Sequence, residues 1–198
     1  MSPSTYDTRR GPQWRVAGVW SAGFVAVLWL SEIIDTALGN RLDAEGIRPG
    51  STDGLSGILF APLLHGGFGH LIANTVPLLV LGFLVLLSGL RQWVAVTAGV
   101  WLIGGVGTWL FGGIGTVHIG ASGVVFGWLA YLVVRGVFTR QPWQILLGIA
   151  VFLVYGGALW GVFPGQPGIS WQGHLFGAVG GIVVAWMLAD RGAVRRNA

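Results

Sequence analysis

"HIGASGVVFGWLAYLVVRGVF", residues 118–138, has the length and apolarity of a membrane-crossing helix but opens on small and polar residues. A hydrocarbon core of about 30 Å takes roughly 20 mostly apolar residues of α-helix, and a helix satisfies its own backbone groups where no water can. From Val124 to Val134 the run carries no charge. Its start is different. Ser122 puts a hydroxyl between Ala121 and Gly123, flanked further out by Gly120 and Gly127. Small residues there suit close helix packing, but packing does not require a hydroxyl, so the fold and the chemistry are both posed by this stretch.

The rest of the chain agrees on the solvent. Of 198 residues 54% are hydrophobic and 9% charged, mean hydropathy is +0.73, and 11 are Trp. Six apolar runs approach spanning length, at about 16–37, 69–89, 92–112, 121–138, 143–163 and 173–189. They lack the strict alternation of barrel strands, which predicts an all-α membrane protein. The first run is too long, and lacks the small-residue cleavage site, for a removed signal peptide.

The chain has no Lys, so its 11 Arg report topology by themselves. With six spans and the N-terminus inside, Arg9, Arg10, Arg15, Arg91, Arg135, Arg140, Arg191, Arg195 and Arg196 fall inside and only Arg41 and Arg48 outside. The positive-inside rule then predicts both termini cytoplasmic. The expected organisation is a short N-terminal segment (1–14), one membrane domain (15–190) and a basic tail (191–198). The net charge of +4 is spread over helix ends rather than gathered in a patch, which points to anionic membrane lipids and not to nucleic acid. Zero Cys excludes disulfides, thiolate metal sites and a cysteine nucleophile. The longest stretch between spans, 38–68, is semi-apolar and suits the membrane interface. No internal repeat suggests the inverted halves of a transporter.

Polar groups within hydrocarbon are costly and often mark function. Here they are His65, His70 and Asn74 at the start of the second span, Ser122 at the start of the fourth and His174 at the start of the sixth, with His118 in the loop before the fourth. In the predicted topology these starts lie at the same, outer depth. A serine hydroxyl is a weak nucleophile without a base in hydrogen-bond reach. His174 is the candidate base, and His118, four residues before Ser122, is the rival. Gly177 and Gly181 follow His174 on its helix face, while Gly123 and Gly127 form a second pair of small residues beside Ser122. Both pairs would let the fourth and sixth helices close on each other. Phe126, one turn below Ser122, points the same way and could stack on the imidazole. His70 and Asn74, at i and i+4, project from one face as hydrogen-bond donors, and the Ser122 amide at a helix N-terminus is a third donor for a developing oxyanion.

Each residue alone has a plainer role, since a membrane Ser usually bonds its own i−4 carbonyl and an Asn usually joins helices. The conjunction at one depth is what suggests a site. Other intramembrane chemistries fit less well. "HGGFGH" (65–70) lacks the Glu of HExxH, and its i, i+5 spacing does not put both rings on one helix face. Of the Asp residues only Asp35 falls within a span, near its end with Glu32, where both are expected to be interfacial. A channel would show a polar stripe over several turns.

Together "HGGFGHLIANT" (65–75), "GASGVVFG" (120–127) and "GHLFGAVGG" (173–181) resemble the rhomboid intramembrane serine proteases, in motif order over about 65–190. The resemblance implies a six-transmembrane-helix rhomboid-like bundle with a Ser122–His174 dyad, no acidic third member, no metal and no cofactor. It implies an oxyanion hole from His70, Asn74 and the Ser122 amide, with His65, Gly120, Gly123, Phe126, Gly177 and Gly181 supporting the site. The activity implied is hydrolysis of peptide bonds in transmembrane protein substrates near the outer face of a bacterial plasma membrane, usually beside small residues. The alternative is a non-proteolytic relative that binds transmembrane helices, but such relatives typically lack the Ser or the His. Three features depart from the family pattern: Ala61 stands where several members carry another His, the first outer loop lacks a common Trp-Arg pair, and Phe126 replaces a frequent Tyr. These bear on the loop and on substrate preference.

Overall fold

The computed structural model describes residues 13–194. Six segments are long and apolar enough to cross a membrane: α1 (Gln13–Ala37), α3 (Phe68–Leu86), α4 (Leu90–Phe111), α5 (Ser122–Thr139), α6 (Pro142–Tyr155) with its 3-10 continuation Gly156–Val162, and α7 (Trp171–Val194). The short helix α2 (Gly57–Phe60) lies between the first two of them. No strand occurs among the described residues. The chain is an all-α integral membrane protein.

Sequence chemistry explains the breaks. Arg140 ends α5 in the left-handed region (φ 54°), and Pro142 opens α6 at a position where its missing N–H costs nothing. The fifth span departs most from expectation, because its α-helix stops at Tyr155 and Gly156–Gly157 lead into 3-10 geometry. Glycine is a poor helix former, and the tighter turn sets the register of Gly161. At the other end of the chain α7 runs on to Val194, past residue 191.

The stretch 38–68 is more ordered than a connecting loop. It folds into 3-10 turns at Leu42–Glu45, Thr52–Gly54 and Ala61–Leu63 around α2. Trp101 Nε1 donates to the Ile58 carbonyl and Trp109 Nε1 to the Ser51 carbonyl, both at 2.8 Å, which docks this layer on α4. Ile47, Ile58 and Ala61 are buried there, while Leu55, Leu59 and Phe60 stay exposed, as suits an interfacial position.

This layer also covers two acids near the end of α1. Glu32 and Asp35 are each only 2% exposed, because the chain after α1 folds back over them. Asp35 Oδ1 accepts from the Leu42 amide at 2.7 Å. Burial, and then the neighbouring Asp35, raise the Asp43 carboxyl above the usual carboxylate range.

α5 is the central helix. It is 56% buried along its spanning window, against 11% for α6 at the periphery. Glycines set its distance from α7. A methyl on Gly177 would collide with the Gly123 carbonyl oxygen and one on Gly181 with that of Gly127. One on Gly123 would come within 3.1 Å of the Gly173 oxygen. The two backbones therefore touch along alternating small residues, and Ser122 and His174 stand at the end of that seam where both helices begin.

Candidate active site

Ser122 is the first residue of α5, delivered by a turn at Gly120 and Ala121. Gly120 has φ +114°, a conformation side chains rarely adopt, and a Cβ there would meet the His70 ring at 2.5 Å. Its amide donates to the Ala61 carbonyl at 2.8 Å. The Ala121 amide donates to His65 Nε2 at a longer 3.4 Å. The 38–68 layer therefore fixes the position from which Ser122 projects.

His65 is 1% exposed, and burial, followed by the nearby His70, pushes its pKa down to about 4. It precedes α3 rather than lying on it, so helical spacing does not govern the His65–His70 pair. Gly67, at φ +105°, turns the chain into α3 and brings the two rings edge to face with centroids 5.1 Å apart.

Ser122 Oγ and His174 Nε2 lie 2.8 Å apart, across 52 residues of sequence. The Phe126 ring stacks on the imidazole at a centroid distance of 4.0 Å and an interplanar angle of 10°. On the ring's other nitrogen, Nδ1 donates to the Gly161 carbonyl at 3.0 Å. A Cβ on Gly161 would come within 2.9 Å of both His174 Nδ1 and Phe126 Cζ, so glycine keeps that carbonyl against the ring. Sequence reading missed Gly161. Its only signal was a glycine near the C-terminal end of the fifth span, one among 35 in the chain.

Asn74 is buried, and its Nδ2 has no hydrogen-bond partner in the protein. An unpaired buried donor is costly and rare. His70 and Asn74 share with Ser122 and His174 an open cleft of about 690 Å³, completed by Pro77 of α3 and Ala158 after α6. A smaller void of about 40 Å³ lies on the other side of Ser122, near Thr108, Gly120 and Ser170. His118 borders both spaces, but its ring nitrogens face Ser170 Oγ (2.7 Å) and Thr116 Oγ1 (2.8 Å), and it is His174 that reaches Ser122. Burial lowers the His118 pKa.

Fold and site together define a six-span membrane protein with a hydroxyl–imidazole pair joined between two helix starts at the head of a cleft. Residues 52–191 match the Rhomboid domain, and the chain belongs to the rhomboid family, whose members are generally intramembrane proteases. It is 55% identical over 196 residues to "Uncharacterized protein Rv1337" of Mycobacterium tuberculosis, covering 95% of this chain and 81% of that one. It is 51% identical over 191 residues to "Uncharacterized protein ML1171" of Mycobacterium leprae, covering 92% of this chain and 76% of that one.

Proposed function

We propose that this protein is an intramembrane serine endopeptidase that hydrolyses peptide bonds in or near transmembrane segments of membrane proteins, with Ser122 as nucleophile and His174 as general base. The observation that carries the reading is the hydrogen-bond chain Gly161 C=O, His174, Ser122. A carbonyl oxygen can only accept, so Nδ1 bears the ring proton and the Nε2 lone pair faces the hydroxyl. That is the tautomer a general base requires.

Ser122 Oγ attacks the scissile carbonyl carbon as its proton passes to His174 Nε2. The resulting oxyanion is met by Asn74 Nδ2, a donor that otherwise lacks a partner, by His70, and by the Ser122 amide, which at the first position of a helix has no intrahelical acceptor. Collapse breaks the C–N bond, and the imidazolium returns its proton to the departing amine. A water deprotonated by the same imidazole then cleaves the acyl-serine and restores the free hydroxyl. His65, Gly120 and Gly123 hold the Ser122 turn, while Phe126, Gly177 and Gly181 hold the imidazole side. The 40 Å³ void suits a small side chain next to the cleaved bond. The substrate helix must open its own backbone ladder before attack.

The bundle over 15–190 acts as one membrane domain in the plasma membrane of a bacterium. Both termini are cytoplasmic, which leaves the cleft near the outer face. The nine-to-two division of arginines supports that orientation.

The test is cleavage of a single-span transmembrane peptide by purified protein in detergent, alongside labelling by a fluorophosphonate. Ser122→Ala should abolish both, and His174→Ala should abolish cleavage, with the helical fold retained in each. Unchanged cleavage by either variant overturns the dyad. Peptide binding without hydrolysis or labelling in the wild type would indicate a helix-binding relative instead.

A further inference from the structure

Resting on the dyad reading, we infer that His118 is a positioning residue: through Ser170 it clamps the loop that carries the nucleophile to the helix that carries the base. The geometry is a second imidazole–hydroxyl bond set beside the first. His118 stands four residues before Ser122, and Ser170 stands four residues before His174. His118 Nδ1 and Ser170 Oγ are 2.7 Å apart, next to the 2.8 Å Ser122–His174 pair. On the inner side of that pair the glycine seam of α5 and α7 fixes the helix separation. On its other side the His118–Ser170 bond joins the segments that lead into the same two helices.

The Thr116 hydroxyl sets the proton directions. Thr116 Oγ1 donates to the Gly113 carbonyl at 2.5 Å, so its hydrogen is committed and it accepts from His118 Nε2–H. Nδ1 is then the lone-pair nitrogen and accepts the Ser170 O–H. Ser170 Oγ in turn accepts from the Gly173 amide at 3.2 Å, and the Ser170 carbonyl accepts from the His174 amide at 3.1 Å. Ser170 thus caps the turn that presents the base.

The other end of the clamp is just as fixed. The His118 amide donates to the Ile47 carbonyl and the Ile47 amide to the His118 carbonyl, both at 2.9 Å. Gly112 leaves room for the ring, since a Cβ there would lie 2.9 Å from Nε2. A residue anchored on three sides transmits position. Displacing reacting groups by about 1 Å can cost on the order of a hundredfold in rate.

The experiment compares His118→Ala, His118→Asn, His118→Gln and Ser170→Ala in the peptide cleavage assay, with fluorophosphonate labelling of Ser122 and thermal melting in detergent. Asn can place its Oδ1 where Nδ1 accepts, whereas Gln mimics the Nε2 side. His118→Ala and Ser170→Ala should each lower kcat about tenfold or more with little change in KM. Combining them should cost no more than either alone. Asn should recover most of the rate, and Gln should not. An alanine variant with wild-type kcat, or Gln restoring the rate as well as Asn, overturns the inference while leaving the dyad standing. If His118→Ala does not fold, the Asn–Gln contrast decides. A wild type that neither cleaves nor labels removes the dyad reading, and this inference with it.

Discussion

Gly161 has no side chain, yet its carbonyl occupies the place of an acidic third partner behind the imidazole. The substitution Gly161→Ala adds one methyl within 2.9 Å of His174 Nδ1 and Phe126 Cζ, neither of which is the end of a flexible chain. The ring must tilt or the carbonyl must withdraw. Either change degrades the Nδ1–H···O bond and the aim of Nε2. Gly161→Ala is therefore expected to lower kcat strongly, beyond what the strain takes from the melting temperature, and a rate within threefold of wild type would count against an orienting role for the carbonyl. Asn74 gives a complementary expectation. Its Nδ2 has no partner in the protein, so Asn74→Ala should cost roughly 10²–10³ in kcat, the range for one oxyanion donor. It should cost little fold stability, since Nδ2 makes no bond to lose. Kinetics and melting on the same preparation check both halves of that statement.

At the scale of elements, the α5–α7 seam concentrates most of what could be read in advance. Gly123, Gly127, Gly177 and Gly181 stand at four-residue spacing, which helix geometry turns into a stripe. The contact partner of that stripe could be guessed because the other helix carried its own. Substituting Ala for Gly177 would drive a methyl into the Gly123 carbonyl oxygen, and neither backbone can yield without separating the helices. Gly177→Ala should therefore destabilise by about 1–3 kcal/mol. Gly23→Ala, where nothing lies within 4 Å, should leave stability unchanged or slightly raised. A detergent or steric-trap unfolding comparison of the two variants checks the contrast. The same logic shows why other parts were not legible. The positions of Ser122, His174, His70, Asn74 and Phe126 follow from helical periodicity and shared depth. The partners of His118, the carbonyl of Gly161 and the burial of Glu32 and Asp35 depend on irregular backbone, where periodicity gives no information. At 38–68 the sequence predicts an interfacial loop, and the hydrogen bonds from Trp101 and Trp109 that dock it on α4 as an ordered layer lie beyond that prediction.

For the whole molecule, that layer makes stability depend on pH through groups outside the spans. His65 lies beneath the turn that delivers Ser122, and its pKa is pushed from 6.5 down to about 4 by burial and by His70. His118, which joins the layer to α7, is also lowered by burial. In the unfolded chain both would titrate near 6.5. Above that value both states are neutral at these positions and pH has no effect through them. Below it the unfolded state takes up protons that the folded state refuses, so folding weakens as pH falls, by at most about 1.4 kcal/mol per pH unit for each histidine. For His65 the loss continues until the folded pKa near 4 is reached. The melting temperature in a non-ionic detergent should therefore drop between pH 6.5 and 4, opposed toward the lower end by Asp43, whose raised carboxyl takes up its proton more readily in the folded state. His65→Gln, which removes the titration while keeping a polar side chain beside the Ala121 amide, should flatten part of that slope even if the variant is less stable at neutral pH. A wild-type melting temperature that is constant across this interval, or a slope that His65→Gln leaves untouched, would show that the buried imidazole does not couple protonation to the packing of this layer.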